Sequence, residues 1–410
     1  VSSQSVLGEK ISRFVLPPSL WSDQDQRSAA DALKRTEIAQ PALGVIEFAY
    51  FRLLQRLGLR SDMVAGHSYG EYPALASAGV LAVEDLFDLS LSRGQAMANC
   101  KRDDGDSGTM AAVFASADQL DSVLKQVSGL VLANDNGPAQ VVVSGDANAV
   151  DQAIELLDQQ SIRAVRLPVG GAFHSHLMKA AAKPLSDAIQ LTEISSPAIP
   201  VYANYDGTPY PVDPAGIRSQ LSEHLLQPVQ FAAQVERMYA DGARVFVEVG
   251  PGRSLTGLTG QILQDRDHTA ISVEGDTEGL QGFLLTVGKL AAHGFLDNIV
   301  ALYRDRSPEL IDLADRTEEI DPNFCWYLNG AFCRRGDQPR GQYGKAPFLT
   351  ADSVASSQST IVDQEPVAKQ ESVDWVASAK PHAQPINQNG RNSNNSTGLM
   401  EVYREYHETM

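Results

Sequence analysis

Ser68 sits in Gly66-His67-Ser68-Tyr69-Gly70, a Gly-x-Ser-x-Gly segment. The short apolar stretch Asp62 to Ala65 leads into it, and a helix-patterned run from Glu71 to Ala78 follows. Strand, tight turn and helix in that order form the setting of a nucleophile elbow, which raises a serine hydroxyl above the end of a sheet. A serine hydroxyl is a weak nucleophile at neutral pH. It needs a base for its proton and N–H donors for the oxyanion that forms on the attacked carbonyl. The N–H of Tyr69 and the positive end of the following helix are placed to act as donors, and the flanking glycines tolerate a strained turn. A five-residue match of small residues is also an ordinary turn, so the segment alone leaves both readings open.

Eight histidines are candidate bases. His67 lies in the elbow itself, where the residue before a nucleophile points away from it. His174 and His176 lie in Gly170-Gly171-Ala172-Phe173-His174-Ser175-His176, a glycine-rich loop after an apolar strand. That loop suits either a reactive imidazole or a solvated one. His224, His268, His293, His382 and His407 lack comparable surroundings. Arg93, in Ser92-Arg93-Gly94, falls on a mostly apolar helix. It is either a surface ion-pair partner or a fork for a substrate carboxylate.

These residues need a scaffold, and the composition allows one. The chain has 410 residues, 43% of them hydrophobic, enough for two or three domains. A net charge of −18 argues against nucleic acid or an anionic membrane as the main partner. Three unevenly spaced cysteines, Cys100, Cys325 and Cys333, give neither a disulfide framework nor a zinc pattern, so a cytoplasmic setting and no metal are expected. There is no apolar run long enough to span a bilayer and no signal-peptide pattern. The chain begins at Val1 within a polar stretch and reads as a piece of a longer protein.

Residues 28–60 read as helical, with Gly58 closing the run. Between 109 and 170 the patterns run strand (Thr109 to Ala115), helix (Ala117 to Val127), two strands (Leu130 to Ala133, Gln140 to Ser144), helix (Ala147 to Gln159) and strand (Ala164 to Val169). The order β-α-β-β-α-β is that of a small ferredoxin-like unit. The expected architecture is therefore α/β: a large α/β-hydrolase-like domain, 1–108 and 171–295, with a ferredoxin-like subdomain, 109–170, inserted. Val245 to Val249 reads as a buried strand ended by Gly250-Pro251-Gly252. A linker region with Trp326, Tyr327 and Phe332 as anchors occupies 296–350. A disordered linker rich in Ser, Gln, Asn and Pro spans 351–398, and a short helix leading to a further domain spans 399–410.

In combination and order, the segments resemble the malonyl-CoA:acyl-carrier-protein transacylase family, above all acyltransferase domains of type I polyketide and polyunsaturated fatty acid synthases. The resemblance runs over about residues 30 to 290. It is carried by Thr36-Glu37-Ile38-Ala39-Gln40-Pro41-Ala42-Leu43, the elbow through Glu71, Ser92-Arg93-Gly94 with Met97, Asn134 through Gly145, Ala172-Phe173-His174-Ser175, Pro228-Val229-Gln230-Phe231 and Glu248-Val249-Gly250-Pro251-Gly252. It implies a Ser68–His174 dyad and an oxyanion donor at Tyr69. It implies a malonyl carboxylate held by Arg93, with Gln40 and Phe173 also at the substrate, Phe173 being of the malonyl-selective type. It further implies that the backbone carbonyl of His224 orients His174. Malonyl-CoA would be the substrate, the phosphopantetheine of an acyl carrier protein the acceptor, and no cofactor would be bound. A ketosynthase domain would precede in the same polypeptide. The family's first strand, with its Gly-Gln-Gly-Ser-Gln segment and second oxyanion N–H, has no counterpart in this sequence, so the chain is expected to start after it.

Two rival readings differ in class. A lipase- or esterase-like serine hydrolase would place its histidine late, as His268 with Asp206 or Asp213 as the acid. A degenerate domain kept as a scaffold would need neither base nor arginine.

Overall fold

The computed structural model describes residues 5–6, 9–17, 22–100, 107–275, 279–304, 326–328 and 333–335. The linker expected at 351–398, the helix at 399–410 and Phe332 lie outside these residues. The chain divides into two compact units, Val1–Asp305 with Asn392–Met410, and Arg306–Arg391. Within the second unit, Trp326–Leu328 and Cys333–Arg335 pair as antiparallel strands. Ser68, Arg93 and His174 all lie in the first unit.

The helical pattern at 28–60 resolves into two helices, Asp23–Leu33 and Thr36–Arg56. Pro41 lies inside the second rather than at its start. Ser22 caps the first helix by accepting from the Asp25 N–H. Gly58, at φ +97°, ends the second in a conformation that disfavours a side chain. The long helix packs on Val83–Ala98, the helix that carries Arg93.

The elbow strand Val64–Ala65 pairs in parallel with Val201–Tyr202, Val64 opposite Val201 and Ala65 opposite Tyr202. A second parallel pair joins Val245–Glu248 to Thr269–Ser272. The sequence reads 245–249 as a buried strand, yet 245–248 are all half-buried. Among the described residues one edge of this strand has no neighbour, and its residues line a cavity. Val64 and Ala65 line the same cavity.

Between 109 and 166 the elements run Thr109–Val113, helix Ala117–Gln126, Val131–Gly137, Gln140–Gly145, helix Ala147–Gln159 and Ala164–Arg166. The sheet order is 164–166, 109–113, 140–145, 131–137, all antiparallel, with Val229–Gln230 added in parallel beside Asn134 and Asp135. Thus residues far along the chain join this sheet. The alternation of Val141 and Val143 with Val142 divides the sheet's two faces. The first two pack against the helices with Leu120, Val123 and Leu157. Val142 joins Met110, Ala112 and Ala133 in the core shared with the elbow helix.

Candidate functional site

The elbow forms because the chain must turn from the strand end at Ala65 into the helix Glu71–Ser77 within a few residues. The two glycines differ in their task. A Cβ on Gly66 would run into the backbone of Gly70 and the Glu71 N–H, so only glycine fits. A Cβ on Gly70 would meet nothing, and Gly70 has no positive φ. The left-handed residue is Ser68 itself, at φ +49°. Gly66→Ala should therefore destabilise the fold by about 1–3 kcal/mol, whereas Gly70→Ala should leave the melting temperature unchanged or slightly higher. Thermal melts of the two variants check this contrast, and equal effects would contradict it.

Ser68 Oγ lies 2.7 Å from His174 Nε2, although 106 positions separate them. His174 Nδ1 lies 2.9 Å from the carbonyl oxygen of Gln227. A carbonyl only accepts, so Nδ1 carries the proton and Nε2 presents its lone pair to the serine hydroxyl. The orienting carbonyl is thus that of Gln227, not of His224 as the resemblance implied. His224 ends the helix Pro214–Glu223 in helical conformation. Gln227 precedes Pro228, which biases it toward an extended backbone whose carbonyl is not engaged in helical bonding. The chain then enters the strand Val229–Gln230.

His174 stands at φ +56° in its loop. Ser175 fixes the loop: its hydroxyl donates to the Ala172 carbonyl at 2.6 Å and accepts from the Leu177 N–H at 3.2 Å. Burial holds the His174 imidazole well below the ordinary 6.5, helped by the neighbouring His224 and Arg93 and opposed by the bond to Gln227. The imidazole is therefore neutral at physiological pH.

Arg93 is 1% exposed. One guanidinium nitrogen lies 3.4 Å from Ser68 Oγ, and the group sits 5.9 Å from the Tyr69 ring centre and 5.7 Å from that of Tyr72. Tyr69 stacks on Tyr72, and its hydroxyl meets Ser90 Oγ at 2.6 Å, so the side chain is held away from the serine. Gln40 is buried, its amide nitrogen 3.1 Å from Met97 Sδ. Ser68, Tyr69, Arg93, Gln40, Met97 and Phe173 all line one cavity of about 710 Å³, a size that suits a small-molecule site. Its wall also carries Glu47, whose carboxyl burial and then the charge of Glu248 push up to about 8. At neutral pH Glu47 is therefore uncharged, and the cationic group beside the serine is Arg93.

Other histidines have different tasks. His67 turns from the serine, with Nε2 2.7 Å from Asn136 Oδ1 and its ring edge-on to Phe231. It ties the elbow to the small sheet. His268 Nδ1 lies 2.7 Å from the Arg266 carbonyl, Asp206 takes hydrogen bonds from Thr208, and Asp213 caps the helix at 214 through Gly216. None of the three meets Ser68, so the late-histidine arrangement of a hydrolase is not assembled.

Sequence reasoning missed two residues. Asn204 Oδ1 accepts from the Ser68 N–H at 2.6 Å, and its Nδ2 donates to the Gly66 carbonyl at 2.6 Å. Gln227 supplies the carbonyl above. A backbone role carries no side-chain signature, but the Pro228 that exposes this carbonyl was visible. Among the described residues no helix is long and apolar enough to cross a membrane.

Residues 14–293 match the family described as "Acyl transferase domain". The malonyl CoA-acyl carrier protein transacylase of Bacillus subtilis is 35% identical over 249 residues, covering 59% of this chain and 78% of the relative. A type I polyketide synthase for phenolphthiocerol synthesis, Pks15/1 of Mycobacterium marinum, is 34% identical over 306 residues, 74% of this chain but only 14% of the synthase. Among solved structures, the acyl-carrier-protein S-malonyltransferase of Bartonella henselae superposes with a TM-score of 0.61 at 33% identity, over 70% of this chain and 88% of the other.

Proposed function

Because the chain belongs to the acyl transferase domain family, and is an acyltransferase, we propose that it moves a malonyl group from CoA, through an ester on Ser68, to the phosphopantetheine thiol of an acyl carrier protein. In this reading Ser68 Oγ attacks the thioester carbonyl while His174 Nε2 takes the hydroxyl proton. The tetrahedral intermediate collapses, the C–S bond breaks, and His174 returns the proton to the departing CoA sulfur. The carrier's thiol then gives its proton to His174 and attacks the ester, and Ser68 leaves with that proton. The Tyr69 N–H, at the N-terminal end of the helical segment where such groups lack intrahelical acceptors, faces the oxyanion.

Arg93 carries the reading. Its guanidinium, buried and 3.4 Å from the nucleophile, is within reach of a carboxylate two bonds beyond the ester carbonyl and can take it as a charge-assisted pair. Phe173 and Gln40 bound the acyl chamber, and the bulk of Phe173 favours malonyl over branched homologues. The names of the relatives support both the acyl group and the carrier. A polyketide or fatty acid synthase with a preceding ketosynthase, in the cytoplasm, is the setting this reading implies. The small sheet's order and antiparallel pairing support its ferredoxin-like description, and the strand-elbow-helix unit supports the hydrolase-like description of the rest. A second oxyanion N–H is expected from an extended segment beside Val64–Ala65 and Val245–Glu248, an expectation supported by these residues being half-buried, lining the cavity and having one strand partner each among the described residues.

The test offers malonyl-CoA and acetyl-CoA to the full-length protein and to Arg93→Ala, with and without carrier protein. Arg93→Ala should lose malonyl transfer by about 100-fold, with acetyl transfer changed by less than about tenfold. Equal loss of both would make Arg93 structural, and hydrolysis outrunning transfer would replace the transferase by a hydrolase.

A further inference from the structure

A buried polar circuit lies behind the dyad and takes no part in the acyl-transfer steps. Asn204 follows the strand Val201–Tyr202, whose parallel register against Val64–Ala65 carries it beside the elbow. It is 1% exposed. Its side-chain amide spans the turn, accepting from Ser68 N and donating to the Gly66 carbonyl, both at 2.6 Å. Its own backbone is held at both ends: the N–H donates to Glu71 Oε1 at 2.7 Å, and the carbonyl accepts from the Gln230 N–H at 2.8 Å.

Glu71 is wholly buried at the start of the elbow helix. Its other oxygen lies 2.6 Å from His224 Nε2, at an angle unlike that of a hydrogen bond, so the contact is one of charge when His224 is protonated. Burial and then the Glu71 charge raise the Tyr210 phenol well above its ordinary 10.0, so a neutral hydroxyl faces the carboxylate. The His224 ring stands edge-on to His174, 5.7 Å between centres and 83° between planes. The circuit therefore runs Ser68–Asn204–Glu71–His224–His174 and closes through the 2.7 Å contact between His174 and Ser68.

Ser68 needs such a hold. A non-glycine residue at φ +49° is strained by about 1–3 kcal/mol and persists only where its surroundings impose it. The amide of Asn204 occupies the Ser68 N–H, which leaves the following N–H, that of Tyr69, as the one turned to a substrate oxygen. We infer that Asn204 is the positioning residue of the nucleophile, and that Glu71, packed on His224, is the anchor that orients Asn204. The inference rests on the reading of Ser68 as the acylated residue. His224 thereby acts through its side chain and Glu71, not through its backbone carbonyl.

The test is a single-turnover measurement of Ser68 acylation by malonyl-CoA in the full-length protein, with the site of modification read by peptide mass. Asn204→Ala should slow acylation by about 100-fold, with KM changed by less than about threefold. Asn204→Asp keeps an acceptor for Ser68 N but faces the Gly66 carbonyl with an anionic oxygen, and should lose at least about tenfold. Glu71→Gln keeps the oxygen that accepts from Asn204 N and should recover to within about tenfold of wild type, whereas Glu71→Ala should fall to the level of Asn204→Ala. Should Asn204→Ala not fold, Asn204→Asp and Glu71→Gln are judged by the same numbers. Wild-type acylation rates in the folded Asn204 variants, or a loss confined to KM, overturn the inference while leaving the Ser68 reading intact. A wild-type protein modified elsewhere than Ser68 overturns both.

Discussion

Exposed to malonyl-CoA, the full-length protein should gain one malonyl group on the peptide that contains Ser68, and Ser68→Ala should gain none. Transfer to the carrier thiol should fall by a factor on the order of 10⁴ or more in that variant. The size of the effect follows from the chemistry. Without the hydroxyl there is no covalent intermediate, and the remaining groups can only bind substrate and polarise its carbonyl. The alternative, direct attack by the carrier thiol, would have to use His174 across the space left by the serine. The serine is removed without disturbing the strained turn, because the 2.6 Å bond to Asn204 is made by the backbone N–H, not by the side chain. A variant that folds and still transfers near the wild-type rate would sink the acyl-enzyme. A wild type that labels no more than Ser68→Ala would leave the domain a scaffold.

His174→Ala should cost about 10²–10⁴-fold in kcat/KM, and the pH profile should show why. Only the neutral imidazole accepts the serine proton, so activity is lost as pH falls through the His174 value. Burial, His224 and Arg93 hold that value well below the ordinary 6.5. The acid limb of kcat/KM should accordingly lie below 6.5, with activity level through neutral pH. Removing the positive charge in Arg93→Ala removes one of the depressing causes and should move the limb upward, toward 6.5. A limb at or above 6.5 in the wild-type protein, or one that survives His174→Ala, would show that another group titrates.

Much of the site was legible in the sequence wherever a role is tied to a residue type and a local pattern. Gly66-His67-Ser68-Tyr69-Gly70 needs only its neighbours to be read as an elbow, because strand, turn and helix are set within a few residues. The helix at Glu71–Ser77, the strand at Gln140–Gly145 and the helix at Ala147–Gln159 follow from hydrophobic periodicity and turn residues. Gly58 stops its helix for the reason visible in the sequence, a positive φ. Other readings failed where the deciding contact is distant. The elbow glycines looked alike, yet only Gly66 is crowded, and the strain falls on Ser68. The pattern of 245–249 marks a buried strand, but burial depends on a neighbour at its edge.

By itself, then, the sequence determined which groups are available: a serine on a sharp turn, a loop histidine, an arginine on an apolar helix and the succession of elements that holds them. Those properties are short-range, set by propensity, periodicity and turn chemistry. Only the tertiary structure decided how they act. It brought His174 to Ser68 across 106 positions, chose the Gln227 carbonyl rather than that of His224 to orient the imidazole, and placed Asn204 on the Ser68 backbone across 136. It also buried His174 itself, with His224 and Arg93 beside it, which keeps the imidazole neutral. The physical reason is the same in each case. A hydrogen-bond partner or a depressed basicity is a property of the space around a group, and that space is filled by parts of the chain far away along it.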